Sequence, residues 1–326
     1  MSGARWVEAL RRARERRAPL REEPRTTAYR LVNGAPDGVP DVTVDLFESL
    51  HVVSLYRDFS ADEERDLLEA MDAAWAPTSV YLKRRPREAR HLANVAREAL
   101  APEEALRGAP VESLVARENG WRFLIRPAQG LSVGLYLDMR DTRAWLAEQA
   151  RGLSVLNLFS YTCGFGVAAR AGGARRVLNL DASRRVLDWG EENARLNAQD
   201  VDRYDYVAGD VFDWLERLAR KGETFDVVVA DPPSFATTRT SRFSAARDYA
   251  SLAEACARVV APGGRLVACC NLATLAPRRF EAQVTEGVAR AGRRGGPFTS
   301  LGPSPVDFPA SAEHPAALKV RVLELT

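Results

Sequence analysis

From about Leu135 onward, short apolar runs alternate with stretches of helical periodicity, and this alternation restricts the fold more than any other feature of the sequence. Strands are expected at 154–159, 176–181, 204–208, 225–230 and 265–270, with helices at 165–172, 183–197, 211–220 and 246–260. Apolar runs without polar alternation are buried on both faces, and strand–helix repetition puts helices on both sides of a parallel sheet. The rhythm therefore predicts an α/β fold with a doubly wound, mostly parallel sheet. A late run, 317–325, is expected to complete that sheet as an edge strand.

The first third reads differently. Residues 5–17 suggest a basic helix, followed by a connector with Pro19 and Pro24. From Tyr29 to Tyr56 the pattern is extended: Asn33-Gly34 and Pro36-Asp37-Gly38 are turn signals, and Val42, Val44 and Leu46 alternate with Thr43 and Asp45. Residues 61–75 have Leu67, Leu68 and Met71 on one helical side, and 111–126 reads as a hairpin around Asn119-Gly120. These elements form a small α+β module. The length of 326 residues suits about two domains at roughly 150 residues each. The expected division is 1–28 (basic helix and connector), 29–115 (small α+β domain) and 116–326 (doubly wound domain).

Composition excludes several classes. No apolar run reaches the roughly 18 residues that a membrane helix needs, and the first residues carry no secretory signal, so a cytoplasmic setting without a membrane partner is expected. Four cysteines and three histidines form neither a CxxC pair nor an HExxH, so neither a metal site nor a disulfide framework is expected. The 46 basic residues nearly balance the 44 acidic ones, but the excess is local. Residues 5–30 hold nine Arg against four Glu, and 83–97 hold six basic residues against Glu88 alone. Nearly all the positive charge is arginine, whose planar fork suits phosphate contacts.

In a doubly wound sheet, ligands bind beyond the carboxyl ends of the strands. The first strand runs out through Phe159-Ser160-Tyr161-Thr162-Cys163-Gly164-Phe165-Gly166, where glycine lets a ligand approach the backbone at a helix start. The second ends in Asp181, suited to accept hydrogen bonds from ribose hydroxyls. The third is followed by Gly209-Asp210-Val211, where a carboxylate can take an adenine amine. The fourth ends in Asp231-Pro232-Pro233-Ser234-Phe235, which combines a carboxylate, a rigid donor-poor backbone and an aromatic face for a planar base.

Those four strand ends resemble motifs I to IV of class I S-adenosylmethionine-dependent methyltransferases. Together with Gly134–Arg140, Arg247-Asp248-Tyr249, Asp307-Phe308-Pro309 and Leu318-Lys319-Val320, the chain resembles the family of large-subunit ribosomal RNA methyltransferases that act on cytosine C5 or guanine N7. The resemblance implies a Rossmann-like domain with a seven-stranded sheet, S-adenosylmethionine as cofactor and RNA as partner. It implies that Phe159, Tyr161 and Gly164 cradle the methionine part, that Asp181 holds the ribose, and that Asp210 with Val211 holds the adenine. Asp138 and Arg140 would lie over the cofactor pocket. Asp231 and Pro232 would face the target base.

Two departures from the family pattern matter. Cytosine-C5 transfer needs a thiolate that adds to the ring, and the position matching the family's cysteine is Asn271, with Cys270 one residue earlier. Adjacent strand residues point to opposite faces, so Cys270 reads as apolar filler, while Cys269 shares a face with Asn271. Nitrogen methylation at guanine N7, with Asp231, Pro232 and Asn271 as catalytic residues and Phe235 against the base, is the favoured expectation. The family's N-terminal RNA-binding module is also missing by this reading. RNA capture would then fall to Arg11, Arg12, Arg14, Arg16 and Arg17 and to the 83–97 cluster, including Arg84 and Arg85. The relatives' Gln-Lys-Thr-Gly is Leu131-Ser132-Val133-Gly134 here, without the cation. A small aromatic metabolite as substrate, or a scaffold without catalysis, remain the alternatives.

Overall fold

The computed structural model describes residues 3–85, 100–237 and 242–326. The chain divides into two compact units, residues 1–137 with 304–315 and residues 138–303 with 316–326.

The first unit contains a four-stranded sheet in the order β1 (Ala28–Asn33), β2 (Val42–Phe47), β3 (Leu50–Leu55), β4 (Ser79–Arg84). The first three strands are antiparallel, and β4 joins β3 in parallel after the helix Ala61–Trp75. That helix opens in a capping box, with Glu63 N–H donating to the Ser60 hydroxyl and Ser60 N–H donating to the Glu63 carboxylate. Its Leu67 and Met71 bury with Trp6 and Leu10 of the helix Gly3–Arg16 against Val32, Val44 and Val53. The hairpin of β5 (Leu114–Glu118) and β6 (Trp121–Ile125) turns at Asn119 (φ 53°) and Gly120 (φ 89°), the positive pair that a two-residue turn of its kind requires.

This hairpin belongs to the first unit, so the division falls after Leu137 and not at the expected 115/116. Main-chain bonding explains the difference: Thr27 N–H donates to Arg117 O at 2.8 Å, and Arg117 N–H to Thr27 Oγ1 at 2.9 Å. A change of hydrophobic rhythm marks where strand–helix alternation starts, and it carries no record of such pairing.

The second unit holds a seven-stranded sheet in the order β14 (Thr299–Leu301), β15 (Lys319–Glu324), β13 (Val260–Cys270), β10 (Phe225–Ala230), β7 (Ser154–Leu158), β8 (Arg176–Asp181), β9 (Tyr206–Ala208). The five strands from β13 to β9 are parallel, and β15 is antiparallel to both its neighbours. The α/β, Rossmann-like, doubly wound sheet read from the sequence is present. The late run is not an edge strand, however: β15 lies between β13 and β14. Val320 and Val322 bury on one side of it and Leu323 on the other, the double-sided burial of an interior strand.

Helices Val211–Arg220, Ala245–Ala257 and Pro277–Arg290 pack on one face through Leu215, Leu252 and Phe280. Helices Arg140–Gln149 and Gly164–Ala171 cover the other through Leu146 and Phe165. A short antiparallel pair, β11 (Phe235–Thr237) and β12 (Arg242–Ser244), follows β10. Among the described residues no helix is long and apolar enough to cross a membrane, and no group of three or more His, Cys, Asp and Glu could hold a metal ion.

Candidate active site

Because β7, β8, β10 and β13 run parallel, their carboxyl ends lie along one edge of the second unit. The chain leaves β7 through Phe159 (φ 55°), Tyr161 (φ 49°) and Cys163 (φ 59°), three non-glycine residues in the left-handed region. Each such conformation costs on the order of 1–3 kcal/mol and persists only when its surroundings over-determine it. Here Ser160 N–H donates to Leu180 O at 3.0 Å, Tyr161 N–H to Asp181 Oδ2 at 2.9 Å and Asn193 Nδ2 to Thr162 O at 3.0 Å. The helix Gly164–Ala171 then starts at once. At Gly166 an added Cβ would stand 2.3 Å from Asn179 Oδ1, so this glycine lets the helix close onto β8.

Asp181 therefore has two structural ties: Oδ2 accepts from Tyr161 and Oδ1 accepts from Ser183 N–H at 2.9 Å. Burial pushes its carboxyl up against the opposing effect of those backbone donors. Asp210 caps the helix Val211–Arg220, with Oδ1 accepting from Phe212 N–H at 2.9 Å, and Val211 is buried behind it.

Asp231 follows β10 directly. Its carboxyl is pushed up to about 7, first by burial and then by the charge of Asp138, while Arg143 acts in the opposite direction. Arg143 is buried with its guanidinium 5.8 Å from the Phe165 ring centre. Arg140 is also buried, its Nε 3.4 Å from Asp141 Oδ1. Pro232 is buried, and Ser234 Oγ donates to Asn271 Oδ1 at 2.8 Å, tying the segment after β10 to the end of β13. Phe235, 68% exposed, stands beside this tie.

Tyr249 carried no role in the sequence reading. Its buried hydroxyl lies 2.8 Å from Cys269 O and 3.3 Å from Ala230 O, so it bridges the last turns of β13 and β10 from the helix between them. A tyrosine on an otherwise apolar helix face was the available signal, since a buried phenol needs a partner. Cys269 and Cys270 are both buried and belong to the cores on opposite faces of the sheet. Burial pushes both thiols up.

In the second unit, Phe159, Tyr161, Gly164, Asp181, Asp210, Val211, Asp231, Pro232, Phe235 and Asn271 follow the carboxyl ends of the parallel strands, Asp138 acts through its charge on Asp231, and Arg140 opens the helix that precedes β7. Arg84 and Arg85 belong to the first unit and have protein partners there. Arg84 Nη2 stands 2.8 Å from both Glu64 carboxylate oxygens, and Arg85 Nη2 donates to Leu131 O at 2.5 Å. The C-terminal end of the expected basic helix is engaged internally, while Arg11 and Arg12 stay exposed. Arg17 is fully buried in a bidentate pair with Asp37 at 2.8 and 2.7 Å, Arg16 stands 3.6 Å from the same carboxylate, and Arg12 pairs with Glu8. Arg17 is therefore removed from any surface role. Arg87, Arg90 and Arg97 lie outside the described residues.

The profile of S-adenosylmethionine-dependent methyltransferases matches residues 30–318. The chain belongs to this family. It is 34% identical over 325 residues to the ribosomal RNA large subunit methyltransferase of Deinococcus radiodurans, covering 98% of this chain and 79% of that one. Ribosomal RNA large subunit methyltransferase I of Aeromonas salmonicida is 33% identical over 291 residues, 88% of this chain and 72% of that one. Among solved structures, that of SMU.776, a methyltransferase complexed with SAH, superposes with a TM-score of 0.87 at 26% identity, covering 99% of this chain and 82% of that one. The protein is an S-adenosylmethionine-dependent methyltransferase, and S-adenosylmethionine is its cofactor. The residues present fit that group: a carboxylate at the end of β8 with lone pairs beyond its two backbone ties, beside a loop held in an otherwise costly conformation.

Proposed function

We propose that this methyltransferase modifies a base in ribosomal RNA, at guanine N7 and not at cytosine C5. The observation that carries the choice of atom is the end of β13. Asn271 stands there exposed and bonded to Ser234, while Cys269 and Cys270 are buried with their thiols pushed up. A carbon acceptor needs a thiolate that can reach the ring; a ring nitrogen with a lone pair needs orientation and electrostatic support. The names of the relatives support ribosomal RNA as the substrate.

In this reading Asp181 accepts from the ribose hydroxyls and the loop 159–164 lies along the methionine part. Asp210 with Val211 bounds the adenine, and Asp138 with Arg140 covers the pocket. The bound cofactor supplies a methyl group on a positively charged sulfur. Phe235 stacks on the base, and Asn271 donates from Nδ2, since its Oδ1 already accepts from Ser234. Asp231 takes base N–H groups through its carboxylate, with Pro232 fixing its backbone. Positive charge ends on the methylated ring, and the ionised Asp231 stabilises it there.

The test is transfer of labelled methyl from S-adenosylmethionine to unmodified ribosomal RNA, followed by nucleoside mass spectrometry. New 7-methylguanosine is the expected product. 5-Methylcytidine would keep RNA as substrate and overturn the atom. No label in RNA alongside measured cofactor binding would turn the reading to a small aromatic substrate.

A further inference from the structure

Arginines in this protein are mostly engaged. On the two adjacent helices Ala245–Ala257 and Pro277–Arg290, each carboxylate already has a partner. Asp248 accepts from Ser244 N–H at 2.7 Å, Glu254 pairs with Arg258, Glu281 with Arg321 at 2.5 Å, and Glu286 with Arg290. Arg247, Arg278 and Arg279 remain, all exposed, with no ion pair or hydrogen bond among the described residues.

All three stand in the first turns of two helices that pack against each other. Gln283 Nε2 donates to Ala246 O at 2.9 Å, and a Cβ on Gly287 would stand 2.2 Å from Ala250 O and 2.6 Å from Ala253 Cβ. Contacts that advance by four residues on both helices mean that the two run in the same direction in close contact, with the first turn of Ala245–Ala257 beside the second turn of Pro277–Arg290, whose own first turn projects beyond it. Arg279 lies one turn, about 5.4 Å, before Gln283 on the same helix side. Arg247 is the residue after Ala246. Both helices follow strands that end at the active site. The first is tied to it by Ala245 N–H donating to Ser234 O at 3.0 Å, and the second follows the loop that begins at Asn271.

The placement is electrostatically unfavourable for folding alone. The first turn of a helix favours acidic residues, yet the first turn of Pro277–Arg290 has none and opens Pro277-Arg278-Arg279. Arginine forks there add to the positive end of the helix dipole, a combination that favours an anion.

We propose that Arg247, Arg278 and Arg279 form a phosphate-binding track for the RNA substrate, leading along the rim of the second unit to the exposed ring of Phe235. It rests on the reading of RNA as substrate and adds where the second unit grips it. Three arginine forks take backbone phosphates without reading sequence, which positions the strand, and the aromatic ring then takes the base.

The test compares two variants of equal charge change in the full chain. R278Q/R279Q alters the track. R151Q/R294Q removes two exposed arginines that have no side-chain partner among the described residues, at the opposite edge of the sheet, before β7 and beside the end of β15. The probe is unmodified large-subunit ribosomal RNA made in vitro, with binding measured across a salt series and cofactor binding and melting measured in parallel. The expected result is that R278Q/R279Q weakens RNA binding about tenfold and lowers the salt slope by about two, roughly one per lost phosphate contact. Cofactor affinity is expected to hold, melting to be no lower, and R151Q/R294Q to bind as wild type. Equal effects of the two variants, or none from R278Q/R279Q, would overturn the track while leaving RNA as substrate. Failure of the wild-type protein to bind or methylate RNA would overturn both, and that result is seen before any variant is made.

Discussion

The two halves of the active-site edge are built from different materials. Around β7 and β8 the working surface is main chain: three left-handed residues, a helix start and one aspartate that fastens the loop through backbone N–H groups. Around β10 and β13 it is side chains: Asp231, Ser234, Asn271 and the Tyr249 hydroxyl between strands. A backbone surface can recognise a ligand common to a whole family, because most substitutions leave it in place. A side-chain surface can be changed residue by residue, so it is where the choice of acceptor atom can differ between relatives. Variants on the first half should therefore alter cofactor affinity, and variants on the second should alter turnover.

The largest effect is expected from Asp231→Asn. Removing a carboxylate that stabilises developing positive charge should lower turnover roughly 10²–10³-fold, with cofactor affinity within a few-fold of wild type. The same variant has a pH signature. With the native carboxyl at about 7, an unfolded chain ionises this group from about pH 4 upward while the folded one still holds its proton. Native stability is then lost as pH rises from 4 to 7 and stays lost above. Asp231→Asn should consequently melt higher than wild type at pH 8, by on the order of 1–3 kcal/mol, and show no gain at pH 4. The acid limb of wild-type turnover near pH 7 should disappear. A collapse of cofactor affinity with turnover of the bound enzyme preserved would break the comparison.

Asp181→Ala should act on the other half. Losing a charged acceptor should weaken cofactor binding by about 1.5–3 kcal/mol, roughly 10–100-fold, as measured by calorimetry. Melting should also fall, because the N–H groups of Tyr161 and Ser183 lose their partner. Tyr249→Phe is expected to be milder, lowering turnover about tenfold and stability by about 1 kcal/mol, the usual worth of one hydrogen bond, with cofactor affinity unchanged. Cys270→Ala should do least, leaving methyl transfer largely intact. A folded Cys270→Ala protein that binds cofactor and transfers nothing would restore carbon methylation as the reaction.

What the sequence allowed one to read follows the same division. Strands β8 and β10 and the helix Val211–Arg220 match their expected ranges, because buried apolar runs and an aspartate cap are local signals. The aspartates at strand ends were legible for the same reason. The left-handed Phe159, Tyr161 and Cys163 were not, since no glycine announces them and the bonds that hold them come from residues about 20 to 30 positions away. Charge counts pointed to the helix Gly3–Arg16 and its neighbour Arg17, but counts do not show which charges are neutralised. Arg17 finds Asp37 twenty residues later, whereas Arg278 and Arg279, inconspicuous in number, have no such partner among the described residues. The short β14 carries too little apolar character to be seen, and without it the last strand reads as an edge.

The position of residues 304–324 bears on how the molecule is made. Arg17 Nη2 donates to Asp307 O at 2.8 Å and the Arg30 guanidinium stacks on Phe308, so the first unit is closed by a segment nearly three hundred residues downstream. In the second unit, β15 fills the gap between β13 and β14. Domains emerging from the ribosome generally fold in order from the N-terminus. Here that order is incomplete: the native form of each unit includes this late segment, and the core of the second unit lacks Val320, Val322 and Leu323 until β15 has been synthesised.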